Sequence, residues 1–469
     1  MTAKATRKRR AGARWAVTNG LRGLASDPIA QRAKGLVRDE LRAVYARDLR
    51  KWLVVAPIVG AATGLTVTGV VVVILRWLWP AVQGYYFRHQ WAIVPGLTLS
   101  CAAAGWIMQR FTADPDMHST EEVIRSYHEL SGRIDVRAFV PKIAAAITTV
   151  GFGGSAALEG PGIYGGGAIG SWLWERLRRF GLTERDRRIL LICGAAAGMS
   201  AVFRAPLTGI VFALEMPYRD DLVHEALVPS LIASVVAFVT LGSMLGTSPL
   251  FNFHGAGTYT GEDILWSALL GLAIGLVAMV FVVTFRRARQ FGVRWGAPHW
   301  AKLGVGGLLT GVCGWAFLAM YPGTLAPLGP NYEAVGMVLN QAHSSAELLI
   351  FSGLKLAATL FTLGAGGVSA MFVPLFLTGG FLGTAFGQSV VHSSAVGLYA
   401  AVGMASFLSA GYKTPLAAVV FVAEATGGHA YLVPALIGAA VAYVVSGDAS
   451  ASAEQQLDEE ERGDAAFAD

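Results

Sequence analysis

Gly153-Gly-Ser-Ala-Ala-Leu-Glu159-Gly160-Pro161-Gly-Ile-Tyr-Gly-Gly-Gly-Ala-Ile-Gly170 places a single carboxylate in otherwise uncharged, glycine-rich, apolar sequence. Pro161 lacks an amide hydrogen and has a φ suited to a first helical turn. The sequence therefore predicts a helix beginning there, with Glu159 just before its N-terminus. The unpaired amides and the dipole of such an end attract anions. A glutamate at that place is a tethered anion: ionised, it lies on the helix end; protonated or displaced, it leaves the end to a soluble anion. In a soluble protein the same residue would simply stabilise its helix. Inside a bilayer an ionisable group is costly and points to function.

Composition puts the chain in a bilayer. Charged residues make up 14% and hydrophobic residues 54%, and the mean hydropathy is +0.52, shifted to the apolar side of soluble domains. Uncharged runs recur at 53–75, 91–109, 143–158, 226–261, 265–285 and 303–331, several exceeding the roughly 20 residues of a spanning helix. The stretch 356–412 has no Asp, Glu, Lys or Arg, yet Gly364-Ala-Gly-Gly367, Pro374 and Gly379-Gly380 interrupt it. It reads as several short or broken helices. Cys101, Cys193 and Cys313 lie in apolar sequence without paired spacing, and they read as packing residues rather than disulfide or metal ligands.

The chain opens on a basic segment, residues 1–52, that includes Arg7-Lys-Arg-Arg10 and lacks an apolar signal-peptide core. Residues 37–53 have a basic amphipathic pattern suited to a membrane surface. The positive flank predicts a cytoplasmic N-terminus rather than nucleic-acid binding. The loops 175–188 and 286–302 are basic too and belong on the same side. Trp77, Trp79, Trp91, Trp172 and Trp174 sit near run ends, as an interfacial belt would. The acidic tail within 447–469 reads as solvated and disordered from Glu454 onward.

An internal repeat organises what lies between. Met199-Ser-Ala-Val-Phe-Arg204-Ala-Pro206-Leu-Thr-Gly-Ile-Val-Phe-Ala-Leu-Glu215 recurs as Leu408-Ser-Ala-Gly-Tyr-Lys413-Thr-Pro415-Leu-Ala-Ala-Val-Val-Phe-Val-Ala-Glu424. Pro161, Gly166, Gly167 and Gly170 match Pro374, Gly379, Gly380 and Gly383. The membrane domain, 53–446, thus divides into halves of about 53–242 and 262–446. Repeated units with Gly/Pro-broken segments at matching positions predict a transporter whose site lies between half-helices at the midplane. Phe372 stands where the first half has Glu159, so the helix end occurs twice and the charge once. That asymmetry predicts an anion site with one removable plug.

These residues resemble the CLC family of chloride channels and proton-coupled chloride transporters. Glu159-Gly160-Pro161 is similar to the family's G(K/R)EGP motif, Met371-Phe372-Val373-Pro374 to its GxFxP motif, and Pro141-Lys142 to the proline-lysine before the gating motif. The resemblance implies an all-α polytopic membrane protein of two inverted-topology repeats with broken re-entrant helices, assembled as a homodimer with one pore per subunit. It implies chloride or another small anion and protons as the species moved, with membrane lipid around the protein. It implies Glu159 as gate and proton acceptor and Glu215 as inner proton relay. Backbone amides around Gly160, Met371 and Phe372 would hold the anion.

The departures are specific. Leu158 replaces the basic residue before the glutamate, and Ala370 replaces the GxFxP glycine. The family's serine loop falls by spacing within 113–119, where His118 or Ser119 would face the anion; Ser119 with Glu122 also reads as a capping box. The tyrosine near the family's chain end has Ser452 at about its place, which predicts altered selectivity. Arg204 and Lys413 read either as vestibule charges or as snorkelling side chains. Glu215 reads alternatively as a structural partner of Arg219, one turn later. His118, His254, His343, His392 and His429 have no metal-ligand spacing, and the sequence suggests no cofactor. A passive voltage- or pH-gated channel is the alternative to exchange; an enzyme is disfavoured, because no nucleophile or metal constellation accompanies the carboxylates. A bacterial inner membrane with both termini cytoplasmic is the expected location.

Overall fold

The computed structural model describes residues 46–248, 250–251, 258–330, 332, 336, 343–393, 395–426 and 429–458. Most of the basic N-terminal segment, most of the surface helix expected over 37–53, His254 and the acidic end from 459 lie outside the described residues. Residues 1–55 and 56–469 are two compact units; the described part of the first, from Ala46, is the start of a helix.

The described residues are helical, with two isolated β-bridges. In the first half the helices are α1 (Ala46–Val71), α2 (Trp79–Arg88), α3 (Ile93–Phe111), α4 (Ser119–His128), α5 (Phe139–Gly151), α6 (Glu159–Leu177), α7 (Glu184–Phe203), α8 (Pro206–Glu215) and α9 (Leu227–Leu245). The second half has α10 (Gly261–Arg294), α11 (His299–Met320), α12 (Ser345–Gly364), α13 (Phe372–Phe386), α14 (Val396–Tyr412), α15 (Pro415–Thr426) and α16 (Leu432–Val445). Among the described residues, six helical segments are long and apolar enough to cross a membrane, including Leu49–Arg88, Gly261–Arg294 and His299–Met320. The short α8 and α15 each begin on a proline, whose missing N–H costs nothing at a first helical turn.

The two halves form inverted-topology repeats, and their packing matches residue for residue. Small residues let the helix backbones touch, as membrane helices need. A Cβ on Gly166 would lie 1.9 Å from the Gly194 carbonyl oxygen, and one on Gly379 would lie 2.2 Å from that of Gly403. α1 meets α9 at Gly60, and α10 meets α16 at Gly271, each glycine with room for a Cβ only 2.4 Å from a facing carbonyl. Ser200 Oγ donates to the Ser234 carbonyl and Ser409 Oγ to that of Ala439, both at 2.8 Å. α7 and α14 end on left-handed residues, Arg204 (φ 53°) and Lys413 (φ 58°), each turning the chain into the prolyl start of the next short helix.

The pairing is reciprocal at the ends of α8 and α15. Glu215 accepts from the Leu416 and Ala417 amides at 3.0 and 2.8 Å. Glu424 accepts from the Leu207 and Thr208 amides at 3.0 and 2.7 Å. Each carboxylate, at the end of one short helix, caps the first turn of its counterpart and satisfies amides that have no partner within their own helix.

Several sequence expectations are corrected here. Trp79 is buried among Ile93, Leu97 and Leu328 rather than belonging to a belt, and the buried Trp174 donates its indole N–H to the Thr183 carbonyl at 2.7 Å. Trp77 and Trp91 are exposed, as a belt requires. Lys413 is not a vestibule charge: its Nζ is buried on the Tyr443 carbonyl (2.9 Å) and Ser446 Oγ (2.6 Å). Arg219 is not the partner of Glu215, whose two oxygens are taken by α15.

Candidate functional site

Two helix starts meet at one point. Glu159 is the first residue of α6, N-terminal to Pro161 within the first turn, and Phe372 is the first residue of α13. The loops leading into them pair antiparallel: the Ala157 amide donates to the Ala370 carbonyl at 2.9 Å, and Ser369 Oγ donates to the Ala157 carbonyl. The approach leaves no room for a side chain at Gly160, where a Cβ would lie 2.7 Å from the Ser369 carbonyl carbon. Across this seam the Phe372 amide donates to Glu159 Oε1 at 2.7 Å. Glu159 is 0% exposed, and its Oε2 has no hydrogen-bond partner. The neighbouring Met371 amide donates to the Tyr412 hydroxyl at 2.9 Å. Adjacent amides of one helix end thus serve a carboxylate and a phenol.

Met371 and Tyr412 also line a cavity of about 20 Å³, together with His118, Thr120 and Ser452. That is about the space of one water molecule or a small ion. His118 is the N-cap residue of α4, in extended conformation; its ring hydrogen-bonds the Ser369 backbone, and its Nε2 has no partner. Thr120 Oγ1 and Ser452 Oγ are buried without partners as well. Unpartnered buried polar atoms are rare enough in proteins to ask for a ligand or water.

Beyond it a vestibule of about 640 Å³ opens, and Glu121 and Ala451 line both spaces. Arg289 clamps the Glu121 carboxylate with one nitrogen on both oxygens, at 2.6 and 2.7 Å, and holds the Asp116 carbonyl at 3.0 Å. The His299 ring, hydrogen-bonded to the Asp116 carboxyl at 3.0 Å, and Lys302 beside it hold that carboxyl down at about 2.

His118, Met371 and Phe372 come together with Glu159 and Gly160, while Glu215 serves at the α8–α15 contact. Between His118 and Ser119, the residue that lines the cavity is His118. Ser119 is the first residue of α4, buried and without a partner, and the expected capping box is absent: no side chain caps this end, and Glu122 pairs instead with Lys142 of α5. Lys142 also lies over the Tyr164 ring at 4.6 Å.

Two residues escaped sequence reasoning. Tyr412 supplies the phenol whose loss was expected, from the end of α14 rather than from the chain end. The signal was in the repeat, where Phe203 of the first copy stands opposite Tyr412, so the hydroxyl exists once. Gln455 is the other. Its Nε2 donates to the Met216 and Tyr412 carbonyls, both at 3.0 Å, and the Ala451 amide donates to the Gly411 carbonyl at 2.8 Å. The segment expected to be disordered from Glu454 is therefore packed as far as 458, because its polar groups are spent on buried carbonyls at helix ends. It delivers Ser452 to the cavity.

A family model described as voltage gated chloride channel matches residues 100–447. The H(+)/Cl(-) exchange transporter ClcA of Yersinia pestis bv. Antiqua (strain Angola) is 28% identical over 444 residues, 90% of this chain and 89% of that protein. A protein of Methanocaldococcus jannaschii, MJ0305, is 25% identical over 84% of this chain and 92% of its own length. Among solved structures, a CLC-type fluoride/proton antiporter superposes with a TM-score of 0.75 at 22% identity, covering 88% of this chain and 100% of that one. A slow cyanobacterial Cl-/H+ antiporter gives 0.72 at 23% identity, over 84% and 94% of the two chains. At such identities these structures establish the fold.

Proposed function

Because this chain belongs to the family of voltage gated chloride channels, we propose that it carries chloride or another small anion across the membrane in exchange for protons, with Glu159 as the gate. The observation that carries this reading is the Glu159 carboxylate itself: one oxygen on the Phe372 amide, the other buried without a partner. An ionised Glu159 and an anion at the seam want the same helix-end amides. Protonation removes the charge that makes the Phe372 hydrogen bond strong, so the carboxyl leaves and the anion takes the amides and the dipole field. Anion arrival therefore favours proton uptake, and anion departure favours release.

On the inner side, the Tyr412 hydroxyl, which accepts from the Met371 amide, gives its own proton to the anion; the His118 ring, whose other nitrogen is spent on the Ser369 backbone, lines the same cavity and donates from Nε2 only when doubly protonated. Glu215, proposed from the resemblance as the inner proton relay, accepts one α15 amide on each oxygen, and Glu424 does the same for α8; the symmetry favours a structural role for both. Glu215→Gln and Glu424→Gln are expected to lower thermal stability alike, each by about 1–3 kcal/mol for a charged cap weakened, with proton flux retained. Loss of proton flux in Glu215→Gln alone would restore the relay.

The homodimer, one pore per subunit, and an inner-membrane location with both termini cytoplasmic complete the reading, as does transport rather than enzymatic turnover. Cross-linking in lipid should trap dimers; monomers alone at modest dilution would count against them. Exchange is separated from a passive channel in a planar bilayer. At a fixed chloride gradient, imposing a pH gradient should shift the voltage at which current reverses, and a reversal voltage that ignores pH would make the protein a channel.

Selectivity offers a further check. Tyr412→Phe removes the acceptor of the Met371 amide and frees that donor for the anion. Nitrate and bromide are expected to gain on chloride by a few-fold, since a lost hydroxyl contact is worth about 0.5–1.5 kcal/mol. Flux ratios identical to those of the unaltered protein would remove Tyr412 from the anion site.

A further inference from the structure

The vestibule holds positive charge that the transport site leaves unused. Arg219, Arg286, Arg289 and Arg294 line it together with Asp114, Asp116, Glu121 and Glu454. Three of the four carboxylates are committed elsewhere: Glu121 to Arg289, Asp116 to His299 and Lys302, and Asp114 to Arg125 at 3.7 Å. Among the described residues Arg219 and Arg286 form no ion pair, and the Nε of each is buried without a hydrogen-bond partner. Both guanidiniums line the same space, where Arg219 repels the Arg286 charge and Glu121 attracts it.

Both are presented from fixed backbone. Arg286 lies one helical turn before Arg289 on α10. The Arg219 amide donates to the Gln456 carbonyl at 2.9 Å, while its own carbonyl accepts from the Tyr443 hydroxyl at 2.9 Å. Glu121, the carboxylate that acts on Arg286, is itself clamped by Arg289, so the two guanidiniums stay under-neutralised, and their forks match the paired oxygens of an oxyanion.

We propose that Arg219 and Arg286 form a second anion site, specific for a doubly charged tetrahedral oxyanion, at the mouth of the anion path. The sizes of the two spaces set its consequence. A four-oxygen dianion fits a vestibule of about 640 Å³ but not the neck of about 20 Å³ behind it. It therefore stops at the arginines and opposes access of the smaller anion from that face. The obstruction rests on the transport reading above; the binding does not.

Sulfate, a dianion throughout the neutral range, is the probe. Titrated calorimetrically into the purified full-length protein at constant ionic strength, it should bind saturably. Arg219→Gln/Arg286→Gln should weaken that binding by at least about tenfold, the worth of a charge-assisted pair. Glu454→Gln, which removes the remaining uncommitted carboxylate of the lining, should tighten it by about two- to threefold, a gain that a misfolded variant would not show. No saturable binding by the unaltered protein, or equal affinity in the double arginine variant, would overturn the site. In liposomes, sulfate on the vestibule side should slow chloride flux in the unaltered protein. Sulfate that binds without slowing flux would overturn the obstruction. Liposomes that pass no chloride with or without sulfate would count against transport while the calorimetry still judged the site.

Discussion

Glu159→Gln is expected to reduce proton movement to the leak of empty liposomes while anion flux continues. The amide is nearly isosteric with the carboxyl and fits the same fully buried place, so the seam between α6 and α13 should remain closed around it. It cannot take up or give back a proton, so the step that ties anion to proton is gone. It is also a weaker plug. The hydrogen bond from the Phe372 amide, 2.7 Å in length, would run to a neutral acceptor instead of a charged one, a loss on the order of 1 kcal/mol, or about fivefold in occupancy of the helix end. Anion flux should accordingly hold or rise, and lose its dependence on pH. The check is paired chloride and pH recordings on the same vesicles. Proton movement equal to that of the unaltered protein would show that another group carries the proton.

Gly194→Ala is expected to damage the protein more broadly. The added Cβ would lie 1.9 Å from the Gly166 carbonyl oxygen, a backbone atom with no rotamer to change, so α6 and α7 must move apart. Overpacking of this kind costs about 1–3 kcal/mol, occasionally more, and here it displaces the helix that begins with Glu159. A lowered temperature of unfolding and a loss of both fluxes should appear together. Gly353→Ala on α12 is the control, because nothing lies within 4 Å of its Cβ position; alanine there should be neutral, its helix propensity being the higher. An unaltered melting temperature in Gly194→Ala would mean that the two helices are not packed this closely.

Much of this was legible in the sequence because it is local. Pro161 and Pro374 with their spaced glycines mark two broken helices, and a lone glutamate in apolar sequence marks the one that carries charge. The repeat from Met199 to Glu215 and from Leu408 to Glu424 gave the symmetry. What stayed hidden depends on contacts between distant segments. Glu215 caps amides some two hundred positions later, a pairing that the spacing to Arg219, four residues on and beyond the end of α8, does not reveal. Glu122 has the spacing of a capping box with Ser119, yet the N-cap of α4 is His118, one residue earlier, and Glu122 turns to buried Lys142. Tyr412 lies far in sequence from where a tyrosine was sought, and it reaches Met371 because the left-handed turn at Lys413 leaves it at the end of α14. The tail misled through its composition, for its acidic end begins only after Gln455 has made its bonds.

The most direct test is whether a chloride gradient alone drives protons uphill. Vesicles loaded with high chloride at the external pH, diluted into low chloride and clamped at zero voltage, should draw protons inward against the pH gradient they build, as anions leave through the Glu159 seam. Chloride efflux at a measurable rate with no proton movement would contradict exchange and leave a passive anion pathway in its place.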